Sequence, residues 1–215
     1  MTPDTPTAAH GPAPDRAVFL VGMMGAGKTT IGRRLARRLG WSFVDADREL
    51  ESRMGVSIAT IFELEGEEGF RRREVALIDE LTQRADTVLA TGGGAVLNER
   101  NREVLHERGC VVYLHAAPAD LWHRLKRDTV RPLLRAPDPR GRIEALVLAR
   151  DPLYRGIAHL IVETGRQPVD RVVGAVLAGL PSSITATNPG PDSLIPPALI
   201  PPSDACTAES SPNND

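Results

Sequence analysis

Residues 19–30 read Phe-Leu-Val-Gly-Met-Met-Gly-Ala-Gly-Lys-Thr-Thr, and no other stretch constrains this chain as tightly. An apolar run of strand length leads into Gly22-x-x-x-x-Gly27-Lys28-Thr29, and a helix-forming segment follows. Glycines at those places let the backbone curl so that successive N–H groups point inward at anionic oxygens. A helix opening near Lys28 adds the positive end of its dipole to the same spot. Lys28 can reach the outer phosphates of a nucleotide, and the Thr29 hydroxyl suits Mg²⁺. The stretch predicts a phosphate-binding loop in which Gly25, Ala26, Gly27, Lys28, Thr29 and Thr30 cradle the phosphates. A ligand-free glycine turn is the bland alternative, and the strand–loop–helix context weighs against it.

Composition narrows the partners. The formal net charge of -2 over 215 residues gives no global basic field of the kind nucleic-acid binders show. Lysine occurs only at Lys28 and Lys126, so its use in the loop is a mild sign that an ammonium is needed there. Cys110 and Cys206 make neither a disulfide framework nor a metal spacing. His10, His106, His115, His123 and His159 likewise show no ligand-like spacing. No basic segment followed by an apolar run marks a signal peptide, and no apolar stretch reaches the roughly 20 residues that span a bilayer. A cytoplasmic protein with no membrane partner is expected.

Three segments are expected: a loose arm over residues 1–15, one domain over residues 16–180, and a Pro-rich disordered tail over residues 181–215. Strands are predicted at residues 16–21, 41–44, 87–90, 110–114 and 159–162. Helices alternate with them, starting with residues 29–39, whose Ile31, Leu35 and Leu39 form one stripe closed by Gly40. A second helix is expected from Arg48, broken near Gly55 and resuming at Ser57. Phe70 opens another, with a stripe of Val75, Ile78 and Leu81. Residues 128–140 carry several Pro and Arg and read as a mobile loop, after which helix resumes near Arg142 and the last helix covers residues 169–180. The fold class is α/β: a three-layer αβα arrangement around a five-stranded parallel sheet. Ligands in such folds bind beyond the carboxyl ends of the strands, where Gly22, Asp45, Gly92 and Ala116 fall.

Several residues near those ends carry chemistry. Asp45 and Asp47, two apart on what reads as an extended segment, are expected to point the same way. One would then support a metal and the other approach a hydroxyl acceptor, although either could instead cap the following helix. Arg71 follows an apolar Phe70 and suits bidentate grip of a carboxylate, with Glu74 one turn on to hold it. Gly92-Gly93-Gly94 after a strand permits close backbone approach to a ligand. Arg131 and Arg135 in the mobile loop could meet a transferring phosphoryl group, and Arg150 offers a second carboxylate clamp. A solvated helix face is the competing reading for each of these arginines.

Taken together the motifs resemble the shikimate kinases, a branch of the P-loop kinases related to nucleoside monophosphate kinases. The resemblance spans about residues 18–168. It rests on the ordered set Gly22-Met-Met-Gly-Ala-Gly-Lys-Thr-Thr30, Asp45-x-Asp47, Phe70-Arg71-x-x-Glu74, Gly92-Gly-Gly94, Val130-Arg-Pro-Leu-Leu134 and Arg150-x-Pro-Leu-Tyr154. It implies transfer of the γ-phosphoryl group of ATP to the 3-hydroxyl of shikimate, with one Mg²⁺ and a lid over about residues 127–140. Asp47 would bind the shikimate hydroxyls and accept the reacting proton, Arg71 and Arg150 would hold the carboxylate, and the Gly93 amide would help to fix the ring. Thr29 would ligate Mg²⁺ and Asp45 support it, while Lys28 and Arg131 would stabilise the phosphoryl group in flight. Arg166 or Gln167 would contact the nucleotide. A monomer is expected. The rivals are a gluconate kinase-like enzyme, which shares the loop, and a nucleotide-binding regulatory module without catalysis. Retention of Lys28, Thr29, Asp45, Asp47, Arg71 and Arg131 argues against the latter.

Overall fold

The computed structural model describes residues 16–126 and 138–185. At its centre lies β1, Ala17–Val21, buried at all five positions. It pairs in parallel with β3, Thr87–Ala90, on one side and with β4, Cys110–His115, on the other. β2, Ser42–Asp45, lies outside β3, and β5, Leu160–Glu163, lies outside β4, giving the order β2-β3-β1-β4-β5. The three inner strands read as continuous apolar runs because helices cover both faces, whereas edge strands β2 and β5 keep exposed positions. Flanking β1 with β3 and β4 opens a crevice over its carboxyl end, the switch point at which such sheets take ligands.

The helices are α1 Lys28–Leu39, α2 Ala46–Met54, α3 Ile58–Leu81, α4 Glu99–Arg108, α5 Pro118–Leu125, α6 Pro139–Ile157, α7 Val169–Gly179 and α8 Ser182–Thr185. α1 buries Ile31, Gly32, Leu35 and Ala36 and ends at Gly40, whose N–H reaches the Ala36 carbonyl. Ser57 caps α3 by accepting from the Thr60 N–H at 3.1 Å.

Five local expectations are corrected. α2 begins at Ala46 rather than Arg48, because Asp45 is already the cap. The segment expected to restart at Phe70 is part of α3, which is kinked at Gly66 (φ 69°, ψ -176°) and helical again through Gly69. Its buried stripe is Phe70, Leu77, Ile78 and Leu81 with Glu74 among them, and Val75 is only half-buried. α6 starts at Pro139, capped by the Asp138 carboxylate on the Gly141 N–H at 2.9 Å, so residues 139–140 belong to a helix and not to a loop. α6 also runs through Pro152, whose missing N–H leaves the carbonyl one turn back at the exposed Leu148. Finally, packing continues past Leu180 into α8, where Ile184 is buried, so the expected tail boundary falls too early. The arm, the rest of the tail and residues 127–137, with Arg131 and Arg135, lie outside the described residues.

Candidate active site

The loop between β1 and α1 is shaped by glycines that no other residue replaces without strain. Gly22 has φ 139° and lies so close to β4 that a Cβ there would sit 2.6 Å from the Leu114 carbonyl oxygen. Gly27 opens α1 from the left-handed region at φ 98°. Lys28 folds over this loop, its ammonium donating to the carbonyls of Gly22 at 2.7 Å and Met23 at 3.1 Å. One residue on, the Thr29 hydroxyl donates to Asp45 Oδ2 at 2.7 Å, while Asp45 Oδ1 accepts from the Arg48 N–H at 3.4 Å.

Asp45 and Asp47 do not share an extended segment. Asp45 ends β2 and caps α2, and Asp47 stands in the first turn of α2. The two carboxylates are therefore separated by a change of secondary structure, which sends Asp45 to Thr29 and Asp47 toward the triple glycine. A Cβ on Gly92 would lie 2.7 Å from Asp47 Oδ1 and 3.0 Å from Glu74 Oε1. A Cβ on Gly94 would lie 2.6 Å from Arg71 Nη2, and one on Gly93 would lie 3.3 Å from the Met24 nitrogen. These three glycines are thus a floor on which the phosphate loop and the side chains of α2 and α3 all rest.

Arg71 Nη1 donates to Glu74 Oε2 at 2.6 Å and Nη2 to Glu67 Oε1 at 3.2 Å, with the guanidinium 5.2 Å over the Phe70 ring. Glu74 is 4% exposed. Burial pushes its carboxyl above the ordinary value, and nearby Asp47 adds to the rise, while Arg71 opposes it. Arg71 is held above the ordinary guanidinium value: burial alone would lower it, and Glu74 and Glu67 outweigh that effect. A buried carboxylate anchoring a half-buried guanidinium leaves one rigid cation facing the cleft. From α6, Arg150 Nη1 donates to the Gly93 carbonyl at 3.1 Å, and the Tyr154 hydroxyl donates to the same oxygen at 2.5 Å.

These groups line one cavity of about 440 Å³, with Lys28, Thr29 and Thr30 at one end and Asp47, Arg71, Glu74 and Arg150 at the other. Ile58, Phe62 and Phe70 give it an apolar wall, with Phe62 and Phe70 stacked at 4.7 Å. Two guanidinium groups, carboxylates able to take a proton and a ring-sized apolar face suit such a cavity to a small carboxylate-bearing molecule next to a phosphate chain.

A second cavity of about 350 Å³ opens behind the phosphate loop, lined by Gly25, Ala26, Gly27, Thr30, Arg124, Thr164, Gln167 and Val169 among others. Of the two residues predicted there, Gln167 lines it, whereas Arg166 is 88% exposed and faces Asp120 at 3.5 Å. Arg124 escaped the sequence reading. It ties the phosphate loop to the end of β5, donating to the carbonyls of Gly25 at 2.9 Å and Thr164 at 2.8 Å and also to that of Gly165. A basic residue in the last turn of a helix ordinarily reads as a dipole partner, so nothing local sets Arg124 apart.

Among the described residues no cluster of three or more His, Cys, Asp or Glu forms a metal cage. The donor pair at hand is the Thr29 hydroxyl and the Asp45 carboxylate. These are hard oxygens that fit Mg²⁺, an ion that keeps several waters and leans on substrate phosphates rather than on a full protein cage. Among the same residues no helix is long and apolar enough to cross a membrane.

Comparison with known proteins agrees with this geometry. The family model described as shikimate kinase matches residues 24–181. A shikimate kinase from Burkholderia thailandensis is 59% identical over 163 residues, which is 76% of this chain and 89% of that protein. The solved structure of a shikimate kinase from Acinetobacter baumannii in complex with shikimate superposes with a TM-score of 0.73 at 47% identity, covering 76% of this chain and 91% of that one. A gluconokinase structure from Sinorhizobium meliloti reaches a TM-score of 0.51 at 20% identity over 77% of this chain and 91% of that one, a likeness of fold alone.

Proposed function

The chain belongs to the shikimate kinase family, and on that premise we propose how its residues divide the work of moving the γ-phosphoryl group of ATP to the shikimate 3-hydroxyl. The reaction is the ATP-dependent phosphorylation of the chorismate pathway to aromatic amino acids. The observation that carries the assignment of roles is the single cavity with the phosphate loop at one end and Arg71, Arg150 and Asp47 at the other.

The backbone amides of residues 25–30 take the phosphates of ATP, and Lys28 leaves its resting carbonyls for the outer oxygens. Gln167 and Arg124 stand at the base and ribose end, and Gln167 rather than Arg166 makes the nucleotide contact. Thr29 and Asp45 would hold Mg²⁺, which would supply neutralisation of the phosphate charge. Shikimate lies with its carboxylate between Arg71 and Arg150 and its ring over Gly93. Asp47 holds its hydroxyls and takes the proton of the 3-hydroxyl as that oxygen bonds to the γ-phosphorus and the bond from this phosphorus to the bridging oxygen of ADP breaks. Phosphoryl transfer needs little covalent help from protein, so alignment and charge do most of the work. Arg131, outside the described residues, is assigned to the group in flight as part of a lid that excludes water. A monomeric working unit is proposed, and the cytoplasm, where ATP is supplied, is the proposed compartment.

An ADP-release assay with shikimate and with gluconate as acceptors tests this reading. ADP release is expected with shikimate and none above background with gluconate; the opposite pattern would sink the assignment.

A further inference from the structure

Arg150 and Tyr154 stand one turn apart on α6 and converge on one atom, the carbonyl oxygen of Gly93, at 3.1 Å and 2.5 Å. A carbonyl oxygen has two lone pairs, so both donors are accommodated. The two donors differ in mobility. Tyr154 is 0% exposed, its ring stacked on Tyr113 at 4.9 Å and its hydroxyl 3.6 Å from Met23 Sδ. It has no room to swing. Burial also pushes that hydroxyl up to about 12, so it remains a donor throughout the working pH range. Arg150 has a long side chain and lines the cavity. Its Nη1 is the donor to Gly93, so turning the guanidinium toward a substrate carboxylate would loosen that bond.

The carbonyl cannot be abandoned freely. Gly93 is the middle of the floor on which Asp47, Arg71 and the Met24 backbone rest, and a shift there moves all three. The far side of the floor is pinned separately: Ala95 N–H reaches the Gly92 carbonyl at 3.2 Å, and Asn101 Nδ2 reaches the Ala95 carbonyl at 2.9 Å. On the α6 side, Tyr154 and Arg150 are the pins.

We propose that Tyr154 is a positioning residue for the acceptor: its hydroxyl keeps the Gly93 carbonyl paired, and the triple-glycine floor in place, when Arg150 turns to the shikimate carboxylate. This rests on the role given to Arg150 above. Without the hydroxyl, Arg150 would be the remaining side-chain donor to that carbonyl. Drawing it to substrate would then leave a polar group unpaired in a cavity from which bound shikimate has displaced water.

The test is a double-mutant cycle on shikimate affinity with Tyr154→Phe and Arg150→Ala, read as Kd by calorimetry and as KM for each substrate. Tyr154→Phe keeps the stacked ring, and circular dichroism checks that it folds. It is expected to raise the shikimate Kd and KM about tenfold while leaving the ATP KM unchanged. In the Arg150→Ala background, which mimics an Arg150 turned away from Gly93, the same change is expected to raise the Kd by about the same factor, because the carbonyl again loses the Tyr154 hydroxyl. Tyr113→Phe, whose lost hydroxyl serves Asp151 at 2.9 Å and not the floor, is expected to leave the shikimate KM as it was. The proposal is overturned by an unchanged shikimate KM in Tyr154→Phe, by loss of the Tyr154→Phe effect in the Arg150→Ala background, or by an equal rise in Tyr113→Phe. An unchanged shikimate Kd in Arg150→Ala alone would instead overturn the carboxylate-clamp reading.

Discussion

At the end of the cleft proposed for the nucleotide the surface is backbone: the loop over residues 22–30, its amides and the first turn of α1, with Arg124 bracing two of the flanking carbonyls. At the acceptor end it is side chains from three helices, Asp47 of α2, Arg71 and Glu74 of α3 and Arg150 of α6, gathered over a floor stripped of Cβ atoms. Backbone recognition suits a phosphate chain, whose oxygens are alike and need many equal donors. Side-chain recognition suits an acceptor that must be oriented by a carboxylate at one end and a single hydroxyl at the other. The first kind of site is contiguous in the chain and the second is scattered.

That contrast breaks most sharply at Asp47. Asp47→Asn keeps the shape of the group but removes its ability to take a proton, so kcat is expected to fall by about 10²–10⁴. The Kd for ATP should stay within about twofold of the original; wild-type turnover would remove Asp47 from the mechanism. Arg124→Ala probes the opposite end. Loss of charged hydrogen bonds to the loop carbonyls is expected to raise the ATP KM about tenfold or more, with the shikimate KM unchanged. A rise in both would mean that the two ends are not independent.

The smallest effect belongs to a region that serves neither end. Glu80 is paired with Arg53 at 2.5 Å and with Arg84 at 2.9 Å on the outer surface. Hydrogen bonds from Arg53 and Arg84 pull its carboxyl down from 4.5 to about 2. Because the folded value is depressed, this pairing stabilises the fold above about pH 4.5 and is lost as the pH falls toward 2. The pair is solvent-exposed and screened, so Glu80→Gln is expected to lower the Tm by only about 1–3 °C at pH 7. The difference should shrink on acidification, and kinetic constants for both substrates should not move. A Tm gap that widens below pH 4 would contradict the sign.

The phosphate loop was legible in the sequence because its chemistry is local: the glycines, the lysine and the hydroxyl are neighbours, and their spacing alone encodes the curl. The parallel sheet was legible for a related reason, since buried inner strands must be continuous apolar runs between amphipathic helices. Asp45 and Asp47 show where local reasoning stops. Their spacing suggested one shared face, but Asp45 caps α2, and the turn from strand to helix sends the two carboxylates to different partners. Glu74 next to Arg71 was readable as a helical pair, yet the depth of its burial, which makes that pair rigid, was not.

By itself, then, the sequence determined the fold class, the glycine-rich turn from β1 into α1 and, through its ordered motifs, the family. Only the tertiary structure decided that Gln167 and not Arg166 lines the cavity behind the loop, that Arg124 braces the loop from 99 residues away, and that Tyr154 shares the Gly93 carbonyl with Arg150. The physical reason is the range of the interactions. Backbone curl, caps and strand patterning act over a few residues, whereas these contacts depend on how α5, α6 and the end of β5 pack over the crevice, which no local spacing specifies.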